Sequence, residues 1–187
     1  MSFVDRIYQE LLGARGAGGE LSVYALLDAA REARVVGLLE SVPEPSDSLY
    51  EGEKARDLAP YAPYLVELPG DSPLAGDLAA QAFGKSYCVF FTAGAPFHEV
   101  RKHFRHFLMV ETEDGKEVYF RFYDPRVLRV FLPTCTPEEA RRFFGPIHSF
   151  WVEAREPGTL SRFWLGEDGL LREDKRSLAE WEPGKSS

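Results

Sequence analysis

The histidines of "HEVRKHFRH", residues 98–106, are the first candidates for chemistry. A zinc-binding HExxH pair works because its histidines stand four residues apart, about 40° around a helix that turns ~100° per residue. His98 and His103 are five apart and diverge by about 140°. His103 and His106 are three apart and suit one ion better. No further ligand is near in sequence, however, and Arg101, Lys102 and Arg105 crowd the same helix with like charge. A solvated basic helix face is the simpler reading, and no metal or other cofactor is expected. "GKS", residues 84–86, ends like a phosphate-binding P-loop, but the glycine that the full pattern needs at position 79 is Ala79. The order is also wrong: a P-loop runs strand, loop, helix, and here a helix precedes and a strand follows. Gly84 reads as a helix C-cap. "GARGAGG", residues 13–19, fails as a dinucleotide fingerprint because Leu21 stands where the third glycine belongs. Cys88 sits in an apolar strand pattern and Cys135 beside a capping threonine. Neither has the basic, helix-start setting that activates a thiol.

A longer stretch carries more signal. "YFRFYDPRVLRVFLPT", residues 119–134, runs a strand of alternating aromatics into a nearly all-apolar helix. On a strand, alternate residues share a face. Val118, Phe120 and Phe122 form one row, which reads as core. Tyr119, Arg121 and Tyr123 form the other, a cation between two aromatics. That row is either internal cation–π packing or a surface for a partner, since Tyr and Arg are favoured at binding hot spots. Asp124 and Pro125 read as a helix start, not as an acidic catalytic residue. In the helix, Val127, Leu128, Val130, Phe131 and Leu132 cover about 200° of the circumference, where a surface helix needs ~100°. Arg126 and Arg129 share the remaining side. The residues expected to meet a partner are therefore Tyr119, Arg121, Tyr123, Arg126 and Arg129.

The elements that must position these residues follow from periodicity. "LSVYALLD" (21–28), "YLVEL" (64–68) and "YCVFFT" (87–92) read as buried strands, and "FLMVET" (107–112) and "EVYFRFY" (117–123) as a hairpin about "EDGK". Helices are expected at 33–42, from Ser72–Pro73 to Gly84, from Pro96 through Phe107, from Asp124 to Pro133, and from the capping box Thr136–Glu139 to Gly145. "PEPSDSLYEGEKARDLAPYAP" (43–63) reads as a long polar loop, and loops of that length are usually functional or mobile. The fold class expected is α/β: a mixed β-sheet flanked by helices, crossover-linked strands first and antiparallel strands last. The organisation expected is a single domain in three parts: an N-terminal helix and Gly-rich linker (1–20), an α/β body (21–150), and a C-terminal β meander with a frayed tail (151–187).

Composition bounds the function. With 187 residues, 44% of them hydrophobic, the chain can build a core. A net charge of -8 opposes binding to nucleic acid or anionic membranes. No apolar run approaches the ~20 residues of a membrane span, and "MSFVDRIYQELL" reads as an amphipathic helix and not a secretory signal. Two cysteines without CxxC spacing fit a reduced, cytoplasmic protein. An RNA-binding strand would need the glycines of an RRM signature, which are missing. The alternative to a binding protein is a small α/β hydrolase or nucleotide-binding enzyme, which would need His98, His103, His106 or His148 near a Ser, Cys or carboxylate.

Read together, "YALLDAAREARVVGLLE", "SLYEGE", "LAPYAPYLVEL", "FGKSYCVFFTAGAPFHEVRKHFRHFLMVETEDGKEVYFRFYDPRVLRVFLPT" and "FFGPI" resemble, in that order, the small cytoplasmic adaptor chaperones of bacterial type VI secretion. That family was long catalogued as a domain of unknown function. The resemblance runs from about Tyr24 to Ile147 and is most specific at "VYFRFYDPRVL". It implies a non-enzymatic protein that binds one secreted effector and helps load it onto a VgrG spike or PAAR tip. It brings no catalytic residues. Many relatives carry a larger C-terminal lobe, whereas only about 40 residues follow the matched region in this chain.

Overall fold

A computed structural model describes residues 21–70, 72–112 and 114–177. The expected N-terminal helix, the glycine-rich linker and the terminal "EPGKSS" lie outside the described residues. The strands are β1 (Ser22–Asp28), β2 (Ser46–Ser48), β3 (Pro63–Leu68), β4 (Cys88–Ala93), β5 (Met109–Glu111), β6 (Glu117–Tyr119), β7 (Ile147–Glu153), β8 (Thr159–Leu165) and β9 (Leu171–Ser177). The helices are α1 (Arg34–Glu40), α2 (Glu53–Leu58), α3 (Pro73–Ala82), α4 (Phe97–Arg105), α5 (Pro125–Phe131) and α6 (Pro137–Phe144).

Seven strands form one sheet in the order β2-β3-β1-β4-β7-β8-β9. The helix-flanked α/β class and the antiparallel C-terminal strands agree with the sequence. The expected mixture of parallel and antiparallel pairs does not: every neighbouring pair is antiparallel. The reason lies in β1. It is apolar on both faces and is buried along nearly its whole length, so it takes a central place and pairs on both edges. β3 and β4 do run in the same direction, joined by α3, but β1 lies between them. The crossover predicted from the alternation of elements exists, and it skips a strand.

Side chains leave β1 alternately to two cores. Val23, Ala25 and Leu27 pack with Val35 and Leu39 of α1 and Leu74 and Leu78 of α3. Tyr24 and Leu26 share the other core with Val100 and Phe104 of α4, Leu128 of α5 and Phe143 of α6. Burying each such large side chain contributes about 1.5–3 kcal/mol. The second core is largely aromatic. Phe104 stacks on Phe122 with centroids 5.3 Å apart, and Phe143 meets Phe122, Phe131 and Phe150 at 5.8, 5.2 and 5.6 Å. This is where the Phe-rich composition goes. Phe122 is fully buried and Phe120 partly so, but Val118, expected in the same inward row, is 40% exposed, because it lies on the separate β5–β6 hairpin and not on the large sheet.

The segment 43–63 is structured. It supplies edge strand β2, helix α2 and a short 3-10 turn at Ala59–Tyr61. It is also pinned from the α3 side. Ser72, expected to cap α3, makes no capping bond, and its hydroxyl instead donates to the buried Glu44 carboxylate at 2.5 Å. At the opposite edge β9 reads "LREDKRS", and charge on an edge strand discourages pairing with other chains.

Two predicted caps hold. The Asp124 side chain accepts the Arg126 N–H, and Thr136 and Glu139 form a reciprocal capping box. Helix α6 ends at Gly145 with φ +50°. Beside it, His103 Nε2–H donates to the Phe143 carbonyl at 2.7 Å, which ties α4 to α6. Burial holds the His103 pKa below the usual histidine range, against the opposing effect of that hydrogen bond, and His106 lowers it further. A depressed histidine pKa means that the unfolded chain binds the proton first. We therefore expect His103 to favour the native state fully at neutral pH. Stability should fall as pH drops below about 6.5 and level off under the folded pKa. In thermal melts from pH 7 to 5, His103→Gln keeps an amide donor and should lose this part of the pH dependence. An unchanged pH profile would remove His103 as its source.

Strands β5 and β6 form a separate two-stranded hairpin. Its last cross-strand bond, Phe120 N–H to the Leu108 carbonyl, lies just beyond Tyr119. The strand expected through Tyr123 stops there. The chain then turns, Asp124 N–H bonding the Arg121 carbonyl, and both Phe122 and Tyr123 point inward.

Candidate functional site

Three stretches distant in sequence meet at one end of the large sheet: the end of β1, the turn after α3, and the start of α5. Asp28 closes β1 with its side chain fully buried. One carboxylate oxygen accepts the Ala30 N–H at 3.1 Å, and the other accepts Arg121 at 2.5 Å. The Arg121 side chain remains 42% exposed, so one edge of the guanidinium serves the core and the other faces solvent. Asp124, buried at the N-cap of α5, takes two hydrogen bonds from the Arg126 side chain, at 3.0 and 2.6 Å. Burial alone would raise the Asp124 pKa, but the bonds from Arg126 outweigh it and hold the carboxyl below its ordinary value. Tyr123 is buried and lies against Tyr50, which in turn touches Tyr119 with ring centroids 5.5 Å apart. Burial pushes both the Tyr50 and Tyr123 phenols above the usual tyrosine range, so both are neutral hydrogen-bonding groups at physiological pH.

The "GKS" turn comes to the same end of the sheet. Its Gly84 N–H donates to Glu153 at 2.5 Å, and the Ser86 hydroxyl, held at φ +57°, donates to the other oxygen of that carboxylate. Donors that in a P-loop would hold phosphate here hold an internal carboxylate at the end of β7. Arg129 grips the same corner from α5, donating to the carbonyls of Glu153 and Ala154 at 3.0 and 3.2 Å. Arg31 and Lys85 stand exposed beside this cluster, with Arg31 bonded to the Lys85 carbonyl. The result is a ridge of arginine and lysine over buried carboxylates, on a protein whose net charge is -8.

A family model described as "Domain of unknown function (DUF4123)" matches residues 23–142, well over half the chain. The chain belongs to this family. No curated protein and no solved structure matches it. The DUF4123 match takes in Asp28, Tyr50, the "GKS" turn, Arg121, Asp124, Arg126 and Arg129, and ends within α6. Glu153 and strands β7–β9 lie beyond it, although three of the seven strands of the DUF4123 sheet come from that region.

Within the DUF4123 domain the five residues singled out from the sequence separate. Tyr119 is 54% exposed on β6. Arg121 and Arg126 are half exposed, each tied to a buried carboxylate. Tyr123 is 3% exposed and belongs to the aromatic core, because the turn at 121–124 removes it from the strand face it would share with Tyr119. Arg129 is half-buried, and its guanidinium closes the end of β7. Asp28, Tyr50 and Glu153 escaped sequence reasoning. Only Asp28 leaves a trace, as an acidic residue ending an otherwise apolar strand.

His98 is exposed, with Glu99 of its own helix at 4.0 Å. His106 donates to the Lys102 carbonyl at 2.7 Å, and His148 is exposed. Cys88 is buried, which pushes its thiol pKa well up, and burial lifts that of Cys135 to about 11. Among the described residues no group of three His, Cys, Asp or Glu could hold a metal ion, and no helix is long and apolar enough to cross a membrane.

Proposed function

We propose that this DUF4123 protein is a cytoplasmic adaptor chaperone that binds a type VI secretion effector and helps load it onto the VgrG or PAAR spike. The observation that carries this reading is the family match over residues 23–142, joined to the resemblance of "VYFRFYDPRVL" to such adaptors. The arrangement at the sheet end supports it. The arginines are fixed by buried carboxylates and still offer N–H groups to solvent, beside the exposed Tyr119. Pre-ordered Tyr and Arg side chains make good anchors for a protein partner, because little side-chain freedom is left to lose on binding. The surface assigned to the effector is Tyr119, the outer edges of Arg121 and Arg126, and Tyr50 from the 43–63 segment.

The expected result is co-purification with the effector encoded beside this chain. Deleting the chain should abolish secretion of that effector and leave other effectors unaffected. Tyr119→Ser with Arg126→Gln, in a protein whose melt shows it folded, should weaken effector binding by about tenfold or more. Undiminished binding by that variant removes this surface from the assignment. Failure of the wild-type chain to bind any neighbouring effector removes the adaptor reading itself.

A further inference from the structure

We propose that the β5–β6 hairpin is a strand-pairing site for a partner segment that reads apolar, apolar, basic. The inference deepens the adaptor reading, on which it rests only for who the partner is. Among the described residues the hairpin pairs with no other strand. All six of its residues are exposed, and it carries Met109, Val110, Val118 and Tyr119, four of the seven large exposed hydrophobics among the described residues. A two-stranded hairpin is marginal in water, and among the described residues no strand pairs with either of its edges.

Its three cross-strand rows specify what fits. Met109 opposes Tyr119, Val110 opposes Val118, and Glu111 opposes Glu117. Directly opposed side chains share a face, so the first and third rows lie together and the second lies on the reverse. The third row sets two carboxylates against each other, which is unfavourable in an isolated hairpin. The neighbouring cation, Lys116, does not relieve it, being paired with Asp114 at 2.6 Å. A third strand added at either edge would continue the rows. It would bring an apolar residue to Met109/Tyr119, another to Val110/Val118, and a lysine or arginine to Glu111/Glu117. Backbone hydrogen bonds would supply affinity and the charged row would supply register and selection, as in other strand-addition sites. An acidic segment would add a third like charge to the row. Tyr119 joins this site to the arginine ridge through its contact with Tyr50.

The test titrates the full chain, isotope-labelled for amide NMR, with a short synthetic peptide bearing Val-Val-Lys between Gly/Ser flanks, and with its Val-Val-Glu analogue. Shifts should concentrate in residues 108–120, and the glutamate peptide should bind about tenfold more weakly. Glu111→Lys with Glu117→Lys should reverse that preference. Should this variant melt early, Glu111→Gln with Glu117→Gln should erase the preference instead. Equal affinity for both peptides overturns the proposal, and so does a lysine peptide that leaves 108–120 unmoved up to its solubility limit. The adaptor reading fails separately. An effector that binds the charge-reversed chain undiminished sinks the hairpin site alone, whereas peptide selection without any effector bound sinks the adaptor reading and leaves the hairpin site in place.

Discussion

Arg121→Ala is expected to lower the unfolding free energy by about 3 kcal/mol, because it strands a buried carboxylate. In a chain of this size that is a fall of roughly 6–12 °C in melting temperature. Asp28 is fully buried at the end of the central strand, and without Arg121 its side chain keeps, among the described residues, only the Ala30 N–H as a hydrogen-bond donor. In an Asp28→Asn background no charge is stranded, and the same arginine deletion should cost less than about 1 kcal/mol. The difference between the two costs measures the coupling of the pair. Equal costs in both backgrounds would mean that Arg121 does not hold Asp28. The outcome bears on function as well. Reversing the charge of Arg121 would destabilise the chain as well as alter its surface and so confound a readout of effector binding, and the binding surface is better probed at Tyr119 and Arg126.

Gly145→Ala is expected to cost about 3 kcal/mol or more. At φ +50° and ψ -114° the backbone is in a region open to glycine and strained for alanine. A Cβ there would also overlap the His103 ring and lie 2.8 Å from its Nδ1. That ring has little room to retreat. Its Nε2 is bonded to the Phe143 carbonyl, and it packs edge-on against Phe104 and Phe107 at 5.4 and 5.2 Å. Removing the ring separates the two contributions. In a His103→Ala background, Gly145→Ala should cost only the backbone strain, on the order of 1–3 kcal/mol. A cost that does not shrink in that background would show that the close approach to His103 contributes nothing.

Local chemistry was legible at most places where a few neighbouring residues decide it, Ser72 being an exception because the buried Glu44 takes its hydroxyl. Asp124 with Pro125, and Thr136 with Glu139, announce helix starts because the capping side chain lies within three residues of the N–H it serves. The Asp-Gly turn announces the β5–β6 hairpin for a similar reason. Strand order was less legible. Alternating strands and helices predict crossovers, and crossovers occur, but only the fold shows that β1 inserts between β3 and β4 and makes the sheet antiparallel.

The site divides along the same line. The helix-flanked α/β class and DUF4123 membership follow from the order and types of residues along the chain, and the same order singles out the stretch around Arg121 as the surface to test. Phe120 and Phe122 do turn inward, but alternation is not the reason: Val118 of the same row is exposed on β6, and Phe122 and Tyr123 are both buried beyond the end of that strand. Tertiary structure decided what each polar group there does. Tyr123 leaves the surface because the strand ends at Tyr119. Arg121 belongs to Asp28, 93 positions away. The "GKS" turn holds Glu153, and Arg129 closes the strand that carries it. A buried carboxylate must find donors wherever the fold brings them, so these pairings are fixed by proximity in space, and spacing along the chain carries no record of them.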